Sequence, residues 1–220
     1  IWLKREDLTP VRSYKLRGAF TAMRKVLEAG PQHHFVCASA GNHAQGVAYA
    51  CRHFGVKGTV FMPVTTPQQK IHKTRTFGGE SVEIVLTGDY FDQTLQAAQS
   101  LCAQQGAHFL SPFDDDDVIE GQASVAVEIM AQLPKPPDLV VLPVGGGGLA
   151  AGITTFFASE APGAAFRYVE PLGGASLGAA LGAGQPVTID SVNSFVDGAA
   201  VARIGERPFA RLAKVAPQTV

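Results

Sequence analysis

Charged residues, cysteines and long apolar runs are all scarce in this sequence. Lysine, arginine, aspartate and glutamate make up 17% of the 220 residues, and the formal net charge is -1. The absence of a basic block excludes an electrostatic nucleic-acid groove and a polybasic membrane surface. No apolar run approaches the roughly 20 residues that a membrane-spanning helix needs. The expected partner is therefore a small molecule, with no nucleic acid and no membrane.

The three cysteines, Cys37, Cys51 and Cys102, form no CxxC pair and have no zinc-ligand spacing. An odd number of widely spaced cysteines is typical of reduced thiols. The sequence therefore predicts a cytoplasmic protein without structural disulfides.

Apolar runs rich in β-branched and aromatic residues alternate with stretches of helical period. The predicted strands are residues 35–37, 59–62, 82–86, 139–144 and 166–169. This alternation predicts an α/β fold with open, mostly parallel sheets flanked by helices, whose ligands lie at the carboxyl ends of the strands. Residue 1 already lies in the strand-like pattern "IWL", and "PQTV" closes no clear element, so a protein truncated at both ends is expected.

The loop "SAGNHAQG" follows the first of these strands and permits two interpretations. Ser39 or Asn42 could cap the helix that begins near His43. Alternatively, Gly41 lets the backbone approach a ligand, and the N–H groups of the helix start hold an anion such as a carboxylate.

Four consecutive glycines, Gly145 to Gly148, separate the strand "DLVVLPV" from an alanine-rich helix. Close packing needs one or two glycines, and four are costly to order, so a phosphate bound by backbone N–H groups is favoured. Read as Gly145-x-Gly147-x-x-Ala150 with Glu170 downstream, the same loop approximates a dinucleotide-binding pattern, which is weak on its own.

The stretch "SYKLRG" places Lys15 at the start of a helix, beside a hydroxyl, an aromatic ring and an arginine that is a candidate anion site. A lysine amine is the side chain that forms Schiff bases with carbonyl cofactors. Together with a phosphate loop and a carboxylate loop, Lys15 suggests a phosphorylated carbonyl cofactor.

Several blocks then resemble a known family in the order in which that family has them. They are "LKREDLTPVRSYKLRGAF", "ASAGNHAQGVAYA", "FMPVTTPQQK", "VIEGQASVAVEI", "PVGGGGLAAG", "VEP" and "VDGAAV". The chain resembles the threonine and serine dehydratases among the pyridoxal-phosphate enzymes of the tryptophan-synthase-β fold, most closely the biosynthetic threonine dehydratases.

The resemblance implies a role for each matching residue. Lys15 would carry pyridoxal 5′-phosphate and act as general base, and Tyr14 would flank the cofactor ring. Asn42 would bond the cofactor's 3′-oxygen, and Gly198 would lie near the ring. The phosphate would bind Gly145, Gly146, Gly147 and Gly148, and the substrate carboxylate would bind the loop of Ser39, Ala40, Gly41, Asn42 and His43.

The resemblance also implies the reaction and the organisation of the chain. L-threonine, and also L-serine, would be dehydrated and deaminated to 2-oxobutanoate, or pyruvate, and ammonia, as the first step towards isoleucine. A larger cofactor-binding lobe would comprise residues 1–34 and 111–220, and a smaller lobe residues 35–110. Relatives of this type are homo-oligomers.

Alternatives remain open at the level of sequence. Serine racemases share most of these blocks, but the residue matching Ala40 is a serine there, and a methyl group cannot transfer a proton. Glu170 is a candidate cation ligand, although Ser176 stands where metal-binding relatives have an aspartate, which leaves a monovalent cation as the candidate. A dinucleotide-dependent enzyme and a catalytically incomplete fragment that binds ligand are the further alternatives. The run Asp114 to Asp117 is predicted to cap the next helix.

Overall fold

A computed structural model describes residues 1–31, 34–215 and 218–219. Helices and strands alternate along the chain, which confirms the predicted α/β class. The helices are α1 (Lys15–Ala29), α2 (Asn42–Phe54), α3 (Gln68–Gly78), α4 (Phe91–Gln105), α5 (Asp116–Gln132), α6 (Gly148–Glu160), α7 (Ser176–Ala183) and α8 (Glu206–Leu212). The strands are β1 (His34–Ala38), β2 (Lys57–Met62), β3 (Val82–Leu86), β4 (His108–Phe109), β5 (Leu139–Pro143), β6 (Ala165–Val169) and β7 (Gln218–Thr219).

The first sheet has the strand order β3-β2-β1-β4, and all of its pairings are parallel. Phe35 of β1 lies opposite Gly58 of β2 and His108 of β4. The two central strands are buried along nearly their whole length, because helices cover parallel sheets. Val36 and Ala38 pack with Ala98 of α4 in this core.

The second sheet has the order β5-β6-β7, again with parallel pairing. Helix α6 follows β5 directly and packs against α5. A buried hydrogen bond of 2.7 Å joins the hydroxyl groups of Thr154 on α6 and Tyr168 on β6. Sheet and helix are therefore linked by polar as well as apolar contact.

The chain divides into two compact units, residues 1–112 and 113–220. The sequence instead predicted one lobe of residues 1–34 and 111–220 and another of residues 35–110. The division groups residues 1–34 with the middle segment, because α1 packs on α2. The assignment of residues 1–34 to the larger lobe of a complete enzyme stays a prediction.

The prediction of a strand at Ile1 to Leu3 is wrong. These three residues form no regular structure and are highly exposed, and the first regular element is a 3₁₀ turn, Glu6–Leu8. An apolar run forms a strand when a neighbouring strand satisfies its backbone groups, and none of the described strands pairs with these residues.

The acidic run caps α5, as predicted. The Asp115 carboxylate accepts hydrogen bonds from the N–H groups of Asp117 and Val118. Its neighbours also hold α8. Asp114 accepts from the backbone N–H groups of Glu206 and Arg207, and Asp116 forms ion pairs with Arg207 and Arg211. The acidic run therefore stabilises the starts of α5 and α8 within the second unit.

Across the part of the chain that the structure describes, every helix is too short or too polar to cross a membrane.

A tight contact in the first sheet leads to a stability prediction. A Cβ atom added at Gly58 would lie 2.6 Å from Cys51 Sγ. Gly58→Ala should therefore destabilise the protein by about 2 kcal/mol, because a packed core resists added volume. Urea unfolding measures the change.

Two further variants test this explanation. Cys51→Ala combined with Gly58→Ala should recover part of the loss, because the clashing sulfur is gone. Gly30→Ala is the control, since its extended backbone and open surroundings accept a methyl group. Strictly additive effects of Cys51→Ala and Gly58→Ala would contradict the contact.

Candidate active site

The chain entering α1 is fixed by short-range hydrogen bonds. Thr9 Oγ1 accepts from the Ser13 N–H at 2.8 Å and donates to the Ser13 carbonyl at 3.0 Å. Ser13 Oγ in turn accepts from the Lys15 N–H at 3.2 Å. Arg12, which lies between Thr9 and Ser13, has φ +57°, a left-handed conformation that is uncommon outside glycine. Hydrogen bonds from the residues just before Lys15 thus fix the position of its backbone.

The Lys15 amine lies in a partly buried position. Its Nζ donates to the Pro112 carbonyl at 2.6 Å and lies 5.6 Å from the centroid of the Tyr14 ring. Burial lowers the pKa of Lys15 to about 8. An appreciable fraction of this amine is therefore neutral near pH 7, as a nucleophile or a general base must be.

This lowered pKa predicts a stability change with a definite pH dependence. The folded pKa lies below the ordinary value of 10.5, so the unfolded chain binds more protons between pH 8 and 10.5. Wild-type stability should rise with pH across that window. Lys15→Met should stabilise the protein by about 2 kcal/mol at pH 7, and the gain should shrink as the pH approaches 10.5. Urea unfolding at several pH values measures it, and a gain independent of pH would contradict the assignment.

Tyr14 immediately precedes α1 and stays a neutral phenol. Burial raises the pKa of its hydroxyl to about 12. The structure places its ring beside Lys15, and its position next to a cofactor ring stays a prediction.

Arg17 of "SYKLRG" already has an anionic partner. Its guanidinium donates to both carboxylate oxygens of Glu6, at 2.7 and 2.9 Å, and both side chains are mostly buried. The expectation of an anion site at this arginine is therefore wrong. The pair instead ties the 3₁₀ turn Glu6–Leu8 to α1.

The "SAGNH" loop joins β1 to α2, as predicted. Ser39 Oγ accepts from the N–H of Gly41, which lies before the helix, at 3.2 Å. Among the residues that the structure describes, no side chain caps α2. The capping interpretation of Ser39 and Asn42 is therefore wrong. Asn42 is exposed, and Ser39 and Ala40 are partly exposed. The first turn of α2 leaves its positive end uncapped, which suits an anion.

His43 differs from the rest of this loop because its ring is buried, with 3% of the residue exposed. Its Nε2 lies 3.0 Å from the Leu110 carbonyl, so that nitrogen carries the proton. Nδ1 is buried and finds no hydrogen-bond partner among the described residues. Burial, together with the nearby charge of Lys15, lowers the pKa of His43 to about 3, so the ring is neutral.

Gly46 is a residue that the sequence interpretation missed. A Cβ atom there would lie 3.2 Å from the Leu16 backbone and the Lys15 carbonyl carbon. The missing side chain thus lets α2 approach the first residues of α1. A glycine inside a helical pattern is the signal that could have revealed this close approach.

The tetraglycine segment connects β5 to α6, as predicted. Gly147 has φ +88°, and no side chain in the described part of the chain caps α6. All four glycines are tightly packed. An added Cβ would meet Ala199 at Gly145, the Phe113 ring at Gly146, Pro208 at Gly147, and the backbone and Cβ of Phe113 at Gly148. Close packing therefore explains all four glycines, and the argument that packing needs only one or two is wrong. The uncapped N–H groups of the helix start remain suited to phosphate.

Gly198 lies next to Ala199, whose Cα would be 3.1 Å from a Cβ at Gly145. The second unit thus brings "VDGAAV" and the tetraglycine segment together. Among the described residues, no atom lies within 4 Å of a Cβ added at Gly198.

Glu170 follows β6, and its carboxylate accepts from the N–H groups of Leu177 and Gly178 at 2.7 and 2.8 Å. Burial raises the pKa of this carboxyl, and these two bonds oppose the rise. Ser176 donates to the Gly145 carbonyl at 3.4 Å. The role of Glu170 that the structure describes is to hold the start of α7, and cation binding there stays a prediction.

The predicted site residues form two groups. Lys15, Tyr14 and the residues from Ser39 to His43 belong to the first unit, and the tetraglycine segment and Gly198 belong to the second. The first group offers an amine of lowered pKa and an uncapped helix start. The second offers an uncapped helix start lined by glycines. These features suit a phosphorylated aldehyde and a carboxylate ligand.

Known proteins are similar to this chain over nearly its whole length. A family model described as "Pyridoxal-phosphate dependent enzyme" matches residues 1–219. "L-threonine dehydratase biosynthetic IlvA" of Mycobacterium leprae is 50% identical over 212 residues, covering 96% of this chain and 50% of that protein. The protein of the same name from Bacillus subtilis is 46% identical over 215 residues, covering 98% and 51%. The chain thus spans about half the length of these curated relatives.

Solved structures agree on the fold. The processed form of threonine deaminase isoform 2 from Solanum lycopersicum matches with a TM-score of 0.89 at 42% identity, over 96% of this chain and 60% of that one. Maize serine racemase has the same fold, with a TM-score of 0.91 at 23% identity, over 98% and 64% of the two chains. Because the family model matches almost every residue, the chain belongs to the pyridoxal-phosphate dependent enzymes.

Proposed function

We propose that the protein dehydrates and deaminates L-threonine to 2-oxobutanoate and ammonia, and L-serine to pyruvate and ammonia, with pyridoxal 5′-phosphate as cofactor. The observation that carries the proposal is the Lys15 amine, held at the start of α1 with a pKa near 8. The identity to biosynthetic threonine dehydratases supports the choice of substrate. It also supports a place in isoleucine biosynthesis.

Lys15 has two tasks in this proposal. Its amine would hold the cofactor covalently, and the same amine would take the proton from the substrate's α-carbon. When bound, the cofactor supplies an electron sink that stabilises the negative charge left on that carbon. The pKa near 8 suits both tasks, because the amine must be neutral to attack and basic enough to accept a proton.

The two uncapped helix starts would hold the anionic groups. The start of α2, with Ser39 to His43, would receive the substrate carboxylate, and Asn42 is exposed there for the cofactor's 3′-oxygen. The start of α6, with Gly145 to Gly148, would receive the phosphate. Fixing the carboxylate orients the bond from the α-carbon to its proton, which can contribute several kcal/mol to catalysis. Tyr14 and Gly198 would border the cofactor ring.

Ala40 distinguishes dehydration from racemisation. Racemisation needs a second acid or base on the opposite side of the substrate, and the Ala40 methyl group cannot supply one. The protein loaded with cofactor should form pyruvate from L-serine without appreciable D-serine. Chiral chromatography of the reaction measures this, and D-serine formed as fast as pyruvate would favour a racemase.

Some features are proposed on the resemblance alone. They are a homo-oligomeric assembly in the cytoplasm and a monovalent cation near Glu170. The three free cysteines, of which Cys37 and Cys51 are buried, are consistent with a reducing compartment.

Substrate turnover tests the proposed function. The cofactor-loaded protein is incubated separately with L-threonine, L-serine and D-threonine, and the oxo acid is quantified as its hydrazone. We expect 2-oxobutanoate from L-threonine, pyruvate from L-serine and nothing from D-threonine. Covalently bound cofactor without any oxo acid would instead indicate a catalytically incomplete ligand-binding protein.

A further inference from the structure

Lys15 and His43 are bonded to the same three-residue segment. Lys15 Nζ donates to the Pro112 carbonyl at 2.6 Å, and His43 Nε2 donates to the Leu110 carbonyl at 3.0 Å. The segment follows β4, and Leu110 also donates its N–H to the Val36 carbonyl at 2.8 Å. Leu110 is therefore anchored on one side by the sheet and on the other by α2.

The segment between the two carbonyls is short and stiff. Proline fixes its own φ near -65°, and the residue before a proline is restricted to extended conformations. Ser111, which precedes Pro112, has little freedom for this reason. The position of the Leu110 carbonyl thus largely determines where the Pro112 carbonyl points.

The imidazole ring of His43 suits this anchoring task better than direct contact with a substrate. Its ring is almost fully buried, and its proton is on the nitrogen that faces Leu110. Nδ1 has no hydrogen-bond partner among the residues that the structure describes, and an unsatisfied buried acceptor is unfavourable for stability. Groups that cost stability are most often kept for function.

We propose that His43 is a positioning residue for Lys15. By its hydrogen bond to Leu110, it holds the segment whose Pro112 carbonyl accepts a hydrogen bond from the Lys15 amine. This inference rests on the proposed role of Lys15. Because His43 is neutral, its removal takes no charge from Lys15, and a changed Lys15 pKa would report a changed position. Tyr14 and His43 are titratable side chains near the Lys15 amine.

The test compares three variants of the full-length protein. His43→Leu removes the donor, while His43→Gln keeps an N–H that can reach Leu110. His72→Leu is the control, because His72 is exposed on α3. Competitive acetylation of the cofactor-free protein with acetic anhydride across pH, followed by peptide mass spectrometry, gives the Lys15 titration midpoint. The rate of covalent attachment of pyridoxal phosphate at pH 7.5 is the second readout.

In His43→Leu the segment loosens and water reaches the amine. The Lys15 midpoint should therefore rise by about one pH unit, and the attachment rate should fall about tenfold, since the neutral fraction falls in proportion. His43→Gln should stay close to wild type, and His72→Leu should equal it. An unchanged Lys15 midpoint in His43→Leu, or equal shifts in His43→Leu and His43→Gln, would overturn the proposal.

Pro112→Gly is the second variant in case His43→Leu does not fold. It leaves His43 in place and removes the stiffness of the segment, so the Lys15 midpoint should rise in the same direction. An unchanged midpoint there would contradict the proposed linkage. If pyridoxal phosphate fails to attach to wild-type Lys15, the proposed function fails, whereas the acetylation midpoints still decide the role of His43.

Discussion

Lys15→Ala is expected to abolish covalent attachment of pyridoxal phosphate and to reduce turnover of L-threonine by about 10³-fold or more. The variant loses both the amine that bonds the cofactor and the base that takes the α-proton. Absorbance spectra of the loaded protein and oxo-acid formation measure the two losses separately.

Lys25→Ala is the matched control for this variant. Lys25 lies on the same helix, ten residues further along α1. Its removal should leave both the spectrum and the turnover unchanged. A Lys15→Ala protein that is folded and still turns over threonine at the wild-type rate would refute the assignment of Lys15.

Gly152→Ala is expected to be the most destabilising of the glycine substitutions considered, by about 3 kcal/mol. Gly152 lies on α6 where that helix meets α5. An added Cβ would overlap the Ile119 carbonyl oxygen and lie 2.8 Å from the Ala123 nitrogen. Both are backbone atoms, which cannot rotate away as a side chain can, so the two helices must separate. Guanidinium unfolding measures the loss.

Gly182→Ala provides the control for Gly152→Ala. Gly182 lies on α7, and no atom of the described residues lies within 4 Å of a Cβ added there. Alanine should stabilise that helix by about 0.5 kcal/mol, through its higher helix propensity and the lower entropy of the unfolded chain. Equal effects of the two substitutions would contradict the close packing of α5 on α6.

Short-range patterns predicted much of the fold. The β-branched runs marked β1, β2, β3, β5 and β6, and the turn signals placed Lys15 at a helix start and the glycines between β5 and α6. These features depend on residues within a few positions of each other. The apolar run at Ile1 to Leu3 misled the interpretation, because a strand also needs a neighbouring strand.

Contacts between residues far apart in the chain could not be predicted from the sequence. The bond from His43 to the Leu110 carbonyl spans 67 positions, and the bond from Lys15 to Pro112 spans 97. The pairing of Arg17 with Glu6 and the approach of Gly46 to the Lys15 backbone likewise depend on how helices pack. Single-residue patterns therefore identified candidate groups, but neither their contacts nor the burial that lowers the pKa values of Lys15 and His43.

The central claim is that Lys15 carries the cofactor, and one measurement tests it most directly. The protein is incubated with pyridoxal phosphate, reduced with borohydride and digested, and the peptides are mapped by mass spectrometry. The account predicts the reduced cofactor mass on the peptide that contains Lys15 and on no other peptide. An unmodified Lys15 peptide from folded protein, or cofactor fixed to a different lysine, would contradict it.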